Sequence, residues 1–493
     1  MKISIFFLSL LFFVTLFSAS AGQEATYLTL NETVQLAKEQ SPNAVAARHQ
    51  FRASYWRHRT HNASLLPQVT ADATLPDFTR SIEAITLPDG SEKFTERNNA
   101  QSYLSASVIQ NIGLTGGQVF MRSNLQRIDL LQDSNTTTYL SSPIVIGLSQ
   151  PLFGYNSYKW SKKIEPLLYQ EAERTYAESM ENIARYAANY FFDLLLAEIN
   201  LDVTQINLAN NDTIYKIAKG RYGYGKIAEN ELLQMELSYL NSQNELEEAK
   251  LNLEMALFRL KSFLALPADA MIRLIPPTEI PRFSIPYNDA IAMALQNRSD
   301  AMAFQRRIIE AESNLARTKS ENRFNADLYA LYGLTQSADV LPGAYQNPRD
   351  QQRITIGVQI PIIDWGTGKG KVKMAESNLD LVQTQIEQET VDFEQDIFLK
   401  VKKFNMQAQQ VFIAAKADTI AQKRFEVTKQ RYLIGKIDIT DFNIARSEKD
   451  MARRNYIAQL RTFWTSLFEI RAMTLYDFLN DRQIYYELDN LLQ

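Results

Sequence analysis

The chain has 493 residues, 22% charged and 45% hydrophobic, with a net charge of −4 and no Cys. Such a balance offers no basic face for nucleic acid, the missing thiols exclude disulfides and cysteine chemistry, and three His leave little for a metal centre. Gly (17) and Pro (15) are scarce for this length, which points to long helices.

Lys2 is followed by ISIFFLSLLFFVTLF (3–17) and by small residues ending Ala19-Ser20-Ala21. A positive start, a short apolar run and an A-x-A end predict a secretory signal over 1–21, with the mature chain starting near Gly22. No Cys follows the cleavage region to carry a lipid anchor. After residue 21 no run of about 18 apolar residues occurs, so any passage through a membrane must use strands.

AKEQSPNAVAARHQ (37–50) reads as helix, and SYLSASVI (102–109) as a strand. Gly113, Gly116 and Gly117 mark a turn, and with it a hairpin. Ile144, Ile146 and Leu148 then alternate with Val145, Gly147 and Ser149, ahead of Pro151. A helix is predicted from about 167 to 219, with Pro166 in its first turns and an apolar stripe through Leu168, Ala172, Tyr176, Met180 and Ile183. RYGYGKI (221–227) ends it, because Gly accepts the left-handed conformation at a helix C-terminus. ENELLQMELSYL (229–240) returns to helical periodicity, and the Pro-rich stretch 266–286 reads as a connector.

The sequence then repeats itself. ALQNRSDAMAFQRR (294–307) resembles 37–50 at an offset of 257, and LYALYG (328–333) reads as a strand. IGVQIPII (356–363) repeats IGLSQPLF (146–153), placing Pro361 on Pro151, and RYLIGKI (431–437) repeats RYGYGKI, both at an offset of 210 (431 − 221). The first copy therefore holds 47 additional residues (257 − 210) before its Pro151 strand. Between Lys371 and Ile434 there is neither Gly nor Pro, and Val372, Ala375, Leu379, Val382 and Ile386 step by three and four, the seam of a coiled coil. At 1.5 Å per residue that helix is about 100 Å long, out of scale for a compact domain. In QRITIGVQIP (352–361) Ile354, Ile356, Val358 and Ile360 alternate with polar residues and Gly, the pattern of a barrel greasy outside and wet inside. Four to six strands per chain are too few for an open lumen, so closure requires several chains.

The predicted organisation is a signal (1–21), a first repeat (22–265) with its helical tip near 220–227, a connector (266–286), a second repeat (287–480) with its tip near 431–440, and a tail (481–493). The duplicated helix–strand–strand–helix–helix unit, SQPLFG (149–154), QIPIID (359–364) and the two RYxxGKI tips together resemble the TolC-like outer-membrane efflux proteins, over nearly the whole mature chain. That resemblance implies a mainly α fold with membrane β-strands, and a homotrimeric barrel in the cell outer membrane continued by a coiled-coil tunnel through the periplasm. It implies a passive exit duct of a tripartite efflux or type I secretion system, engaged by a periplasmic adaptor and an inner-membrane pump.

It also assigns adaptor docking to the tips: Arg221, Tyr222, Gly225, Lys226 and Ile227, then Arg431, Tyr432, Gly435, Lys436, Ile437 and Thr440. The family narrows its entrance with carboxylate rings and a Tyr–Arg clamp. Asp441 and its repeat counterpart Glu231 fall on the rings, and Tyr432 on the clamp. Ile444 stands where the family can carry a second Asp, and Ile437 where it carries the clamp Arg. Pro151, Pro361 and Trp365 mark the joint between barrel and tunnel.

Other features are read as structural. Trp365-Gly-Thr-Gly-Lys-Gly-Lys371 follows a strand and opens a helix but lacks the phosphate-loop spacing. His58 and His61 have no third ligand at metal spacing. Phe153, Tyr155, Tyr158, Trp160 and Trp365 suggest an interfacial aromatic belt. No nucleophile–base pattern points to an enzyme, and no cofactor is expected. The alternative is a periplasmic adaptor. Such proteins carry one helical hairpin between β-rich lipoyl-like halves, whereas this chain carries two hairpins and two strand sets.

Overall fold

The computed structural model describes residues 26–131, 136–277 and 280–488; the predicted signal lies outside them. The chain divides into two units: Met1–Ala46 with Met180–Ser284 and Lys402–Ile470, and Ala47–Ser179 with Ile285–Val401 and Arg471–Gln493.

In chain order the elements are β1 (Thr26–Thr29), α1 (Leu30–Gln40), α2 (Pro42–Ser64), β2 (Gln68–Thr86), β3 (Glu92–Asn111), β4 (Gln118–Leu130), β5 (Thr136–Pro151), α3 (Ser157–Gly223) and α4 (Glu229–Phe263). Then follow β6 (Ile272–Ile275), α5 (Tyr287–Asn297), α6 (Ser299–Glu321), β7 (Asn325–Ala338), β8 (Arg349–Gln359), α7 (Thr367–Leu433), α8 (Ile439–Thr474), β9 (Tyr476–Asp477) and β10 (Arg482–Gln483). α1 and α2 recur as α5 and α6 with both ends displaced by 257 (287 − 30; 321 − 64). α3 recurs as α7 with both ends displaced by 210 (367 − 157; 433 − 223). No helix among the described residues is long and apolar enough to cross a membrane.

The first unit is helical. Thr29 starts α1 with a capping box: its Oγ1 accepts from Glu32 N at 3.2 Å, and Glu32 Oε2 accepts from Thr29 N at 2.8 Å. β1 pairs with β6 in parallel. Phe404 of α7 packs against Phe463 of α8 with ring centroids 5.3 Å apart, and both are fully buried. Each such side chain contributes about 1.5–3 kcal/mol. Polar pairs interrupt this apolar contact: Asn207 of α3 donates to buried Asp450 of α8 at 2.7 Å, and Arg461 to Asp193 at 2.6 Å. Two apolar rows on the helices are left uncovered. Met406, Ile413, Ile420 and Val427 recur every seven residues along α7, and on α4 Leu233 with Leu240 and Leu237 with Leu251 and Phe258 lie at multiples of seven, Met255 standing between them.

The second unit carries a six-stranded sheet in the order β2-β3-β4-β5-β7-β8, antiparallel throughout. β2 and β8 are its two edges. One face is apolar and exposed, with Val69, Leu104, Met121, Ile146, Tyr332, Ile354 and Ile356 in one band across the strands. The opposite face carries Thr70, Ser107, Arg122 and Arg353. Phe120 is the apolar exception there: it is buried beside Gly147, stacks on Tyr329 at 5.8 Å and lies beneath the Arg122 guanidinium at 4.3 Å.

Two boundaries differ from the sequence reading. α3 starts at Ser157, about ten residues early, because Asn156 Oδ1 caps it by accepting from Lys159 N at 3.1 Å. Pro166 consequently lies inside the helix. β3 begins at Glu92 and pairs with β2 almost to the turn at Gly90, well before the strand read at 102–109.

Candidate functional site

The two tips are built alike. After α3, Gly225 N donates to Tyr222 O at 2.8 Å and Lys226 N to Arg221 O at 2.9 Å, with Gly225 at φ +66°. After α7, Gly435 N donates to Tyr432 O at 2.9 Å and Lys436 N to Arg431 O at 2.9 Å, with Gly435 at φ +75°. Only glycine takes that conformation cheaply, which explains the shared Gly-Lys-Ile frame.

The turns converge on a common apolar knot. Ile214, Ala218, Met235, Phe425, Ile439 and Phe442 are buried together, with Ile227 and Tyr432 packed against them. The Tyr432 ring stacks on Phe442 at 5.3 Å. Burial raises the Tyr432 hydroxyl above the ordinary tyrosine value, and the Arg221 charge partly opposes this. A cleft of about 350 Å³ opens beside the knot, lined by Arg221, Lys226, Glu231, Tyr432, Ile437 and Asp438 among others. Residues named from both tips thus meet in one place. Tyr222, Gly225, Arg431, Gly435 and Lys436 are exposed on the turns, and Thr440 and Asp441 are exposed on the first turn of α8.

The tips also differ. Asp438 Oδ1 accepts from Asp441 N at 2.9 Å and caps α8, whereas Ala228, at the matching position, gives α4 no side-chain cap. The sequence reading missed this cap, although Asp ahead of an apolar run is a recognised helix start. It also missed the bond from Arg221 Nη2 to Leu433 O, 3.3 Å, which links one tip to the other.

In the second unit, Pro151 ends β5, while Pro361 and Trp365 follow β8. Trp365 is 94% exposed and has φ +56°. The glycine-rich stretch after it is a capped helix start: Asp364 Oδ1 accepts from Gly366 N at 2.9 Å and Oδ2 from Gly368 N at 2.8 Å. Those bonds hold the Asp364 carboxyl below its ordinary value. A carboxylate therefore already occupies the amides that a phosphate would need. His58 stacks on Tyr169 at 4.8 Å and pairs with Asn62 at 2.9 Å, a packing role.

Residues 33–266 match the profile of the family described as Outer membrane efflux protein. None of the curated proteins matches. Among solved structures, the CmeC outer membrane channel of Campylobacter jejuni aligns with a TM-score of 0.66 at 16% identity, over 94% of this chain and 88% of that one. The outer membrane protein VceC of Vibrio cholerae aligns at 0.62 and 14%, over 90% and 95%. The open-state MtrE outer membrane channel of Neisseria gonorrhoeae aligns at 0.61 and 13%, over 93% and 91%. At such identities these likenesses establish the fold. The chain has the fold of the outer-membrane channels, mostly helical with a sheet, and its first repeat carries the sequence signature of the efflux family. The matched family and the fold neighbours are outer-membrane channels.

Proposed function

We propose that the chain is a passive outer-membrane exit duct working as a homotrimer. The observation that carries this reading is the six-stranded sheet, apolar and exposed on one face and polar on the other, with both edges unpaired among the described residues. Unpaired strand edges are costly in lipid, and six strands are too few to enclose a water-filled lumen. Sister subunits resolve both difficulties. The uncovered seven-residue rows on α4 and α7 give those subunits a helical seam to pack against.

On this reading the exported chain sits in the outer membrane and its helices form the periplasmic tunnel. The tips, with the cleft between them, receive the helical hairpins of a periplasmic adaptor, and an inner-membrane pump supplies the energy. Arg221, Tyr222, Gly225, Lys226, Ile227 and their counterparts Arg431, Tyr432, Gly435, Lys436, Ile437, with Thr440, form the docking surface. Asp441, Glu231 and Tyr432 narrow the entrance. Pro151, Pro361 and Trp365 turn the chain from wall to tunnel. The two repeats and their connector are the working domains.

Planar-bilayer recording tests this. The full-length protein should conduct ions in small discrete steps, and variants at Arg221 or Tyr432 should conduct more. Absence of any conductance from correctly extracted protein and from both variants contradicts a duct.

A further inference from the structure

The 47 residues that the first repeat holds beyond the second form one element pair of the sheet. β2 and β7 start 257 apart (325 − 68), and the IGLSQPLF segment in β5 has its counterpart in β8 at 210, so the surplus is β3 with β4. These strands do not hang from the sheet as a surface loop. β3 pairs with β2 on one side and β4 on the other, and β4 pairs with β5 over twelve positions.

The turn between them is seated at the helical end of the sheet. Asn156 Nδ2 donates to Gly113 O and Leu114 O, both at 3.0 Å, and Thr115 Oγ1 donates to Gln150 Oε1 at 2.6 Å. Gln110 Nε2 donates to Leu65 O at 2.9 Å, where α2 gives way to β2. The turn of the hairpin therefore lies at the level where the other strands meet their helices, and its two strands run from there toward the far end of the sheet. Its faces continue those of the sheet. Leu104, Val119 and Met121 lie on the apolar side, and Tyr103, Arg122 and Asn124 on the polar side, where Tyr103 donates to Asn124 at 3.0 Å.

We infer that the inserted hairpin is part of the barrel wall, so that three chains of six strands close an eighteen-stranded barrel. This rests on the trimeric duct proposed above. Six alternating strands leave β2 and β8 running in opposite directions, so β8 of one copy meets β2 of the next as an antiparallel pair. With strands about 4.8 Å apart and tilted by about 40°, eighteen strands give a backbone diameter of about 35 Å, against about 24 Å for the twelve that a bare duplication would supply. The exit has about twice the cross-section, and its added wall presents Ser, Asn, Gln and Arg. It suits bulky hydrophilic solutes or extended polypeptide better than small apolar compounds.

The chain has no Cys, so single cysteines report cleanly. Val119→Cys, Met121→Cys, Arg122→Cys, Asn124→Cys and Gln126→Cys are placed one at a time in the full-length protein in lipid, with Ile354→Cys and Thr355→Cys on β8 as references. A water-soluble maleimide should label positions 122, 124 and 126 about tenfold faster than 119 and 121, as it labels 355 over 354. Native mass measurement of the same samples should give three chains. Three chains with alternation on β8 but none on β4 overturns the inference and leaves the duct standing. Any other chain number overturns the underlying trimer. A strand count by electron microscopy of the unmodified assembly covers variants that fail to fold: eighteen supports the inference, and twelve overturns it.

Discussion

Arg221 Nη2 donates to the carbonyl oxygen of Leu433 at 3.3 Å, so the end of the first long helix holds the end of the second. The bond is exposed and its net worth is about 0.5–1.5 kcal/mol. Arg221→Ala should speed amide hydrogen exchange over residues 431–437 up to about tenfold. Arg431→Ala, at the exposed counterpart, should change exchange at the first tip less. Equal effects would mean that the link does not hold the tips together.

The Asp438 cap gives the second prediction. Asp438→Ala should cost about 0.5–2 kcal/mol, read as earlier fraying of the first turn of α8. Ala228→Asp should bring the missing cap to α4 and slow exchange there by a similar energy. The repeat geometry makes the second change the mirror of the first.

The entrance role proposed for Asp441 gives the third prediction. Three exposed carboxylates around a narrow axis raise local negative potential and favour cations. Asp441→Asn should move the reversal potential in a salt gradient toward zero, with Glu231→Asn adding to the shift. An unchanged reversal potential in the double variant removes both residues from the entrance.

Glu178 in α3 carries a pH dependence. Burial raises its carboxyl above the ordinary value, while the hydrogen bond from Ser299 N at 2.7 Å, the Arg298 charge and the bond from Ser299 Oγ at 3.0 Å pull it back. A raised pKa means the folded chain binds the proton more tightly than the unfolded one. The stabilisation is therefore complete below the ordinary glutamate pKa of about 4.3 and is lost as pH rises through the folded value. Thermal unfolding in detergent should show this loss in wild type, and Glu178→Gln should flatten it. A slope unaltered in the variant would assign the pH dependence to other carboxylates raised by burial, of which half-buried Glu173 is one.

The long helices were legible because nothing interrupts them: Gly and Pro are absent from 371 to 434, and the apolar steps run unbroken. The tips were legible because the same frame occurs twice, and one occurrence interprets the other. β2 was hidden. Pro76 breaks its pattern, and a bulge between Thr74 and Asp77 shifts which side chains share a face, so period-two reading fails across it. The start of α3 was hidden because Asn156 both caps the helix and holds the β3–β4 turn, a role visible only when 113 and 156 meet in space. The helix-capping job of Asp364 was masked by the glycines beside it, which invited a phosphate-loop reading.

The most direct test of the account is the mass and extraction behaviour of the full-length protein from its native envelope. The account predicts that it stays with the outer membrane until detergent is added and then sediments as three chains plus bound detergent. A single chain, released by salt or buffer and stable without lipid or detergent, would contradict it.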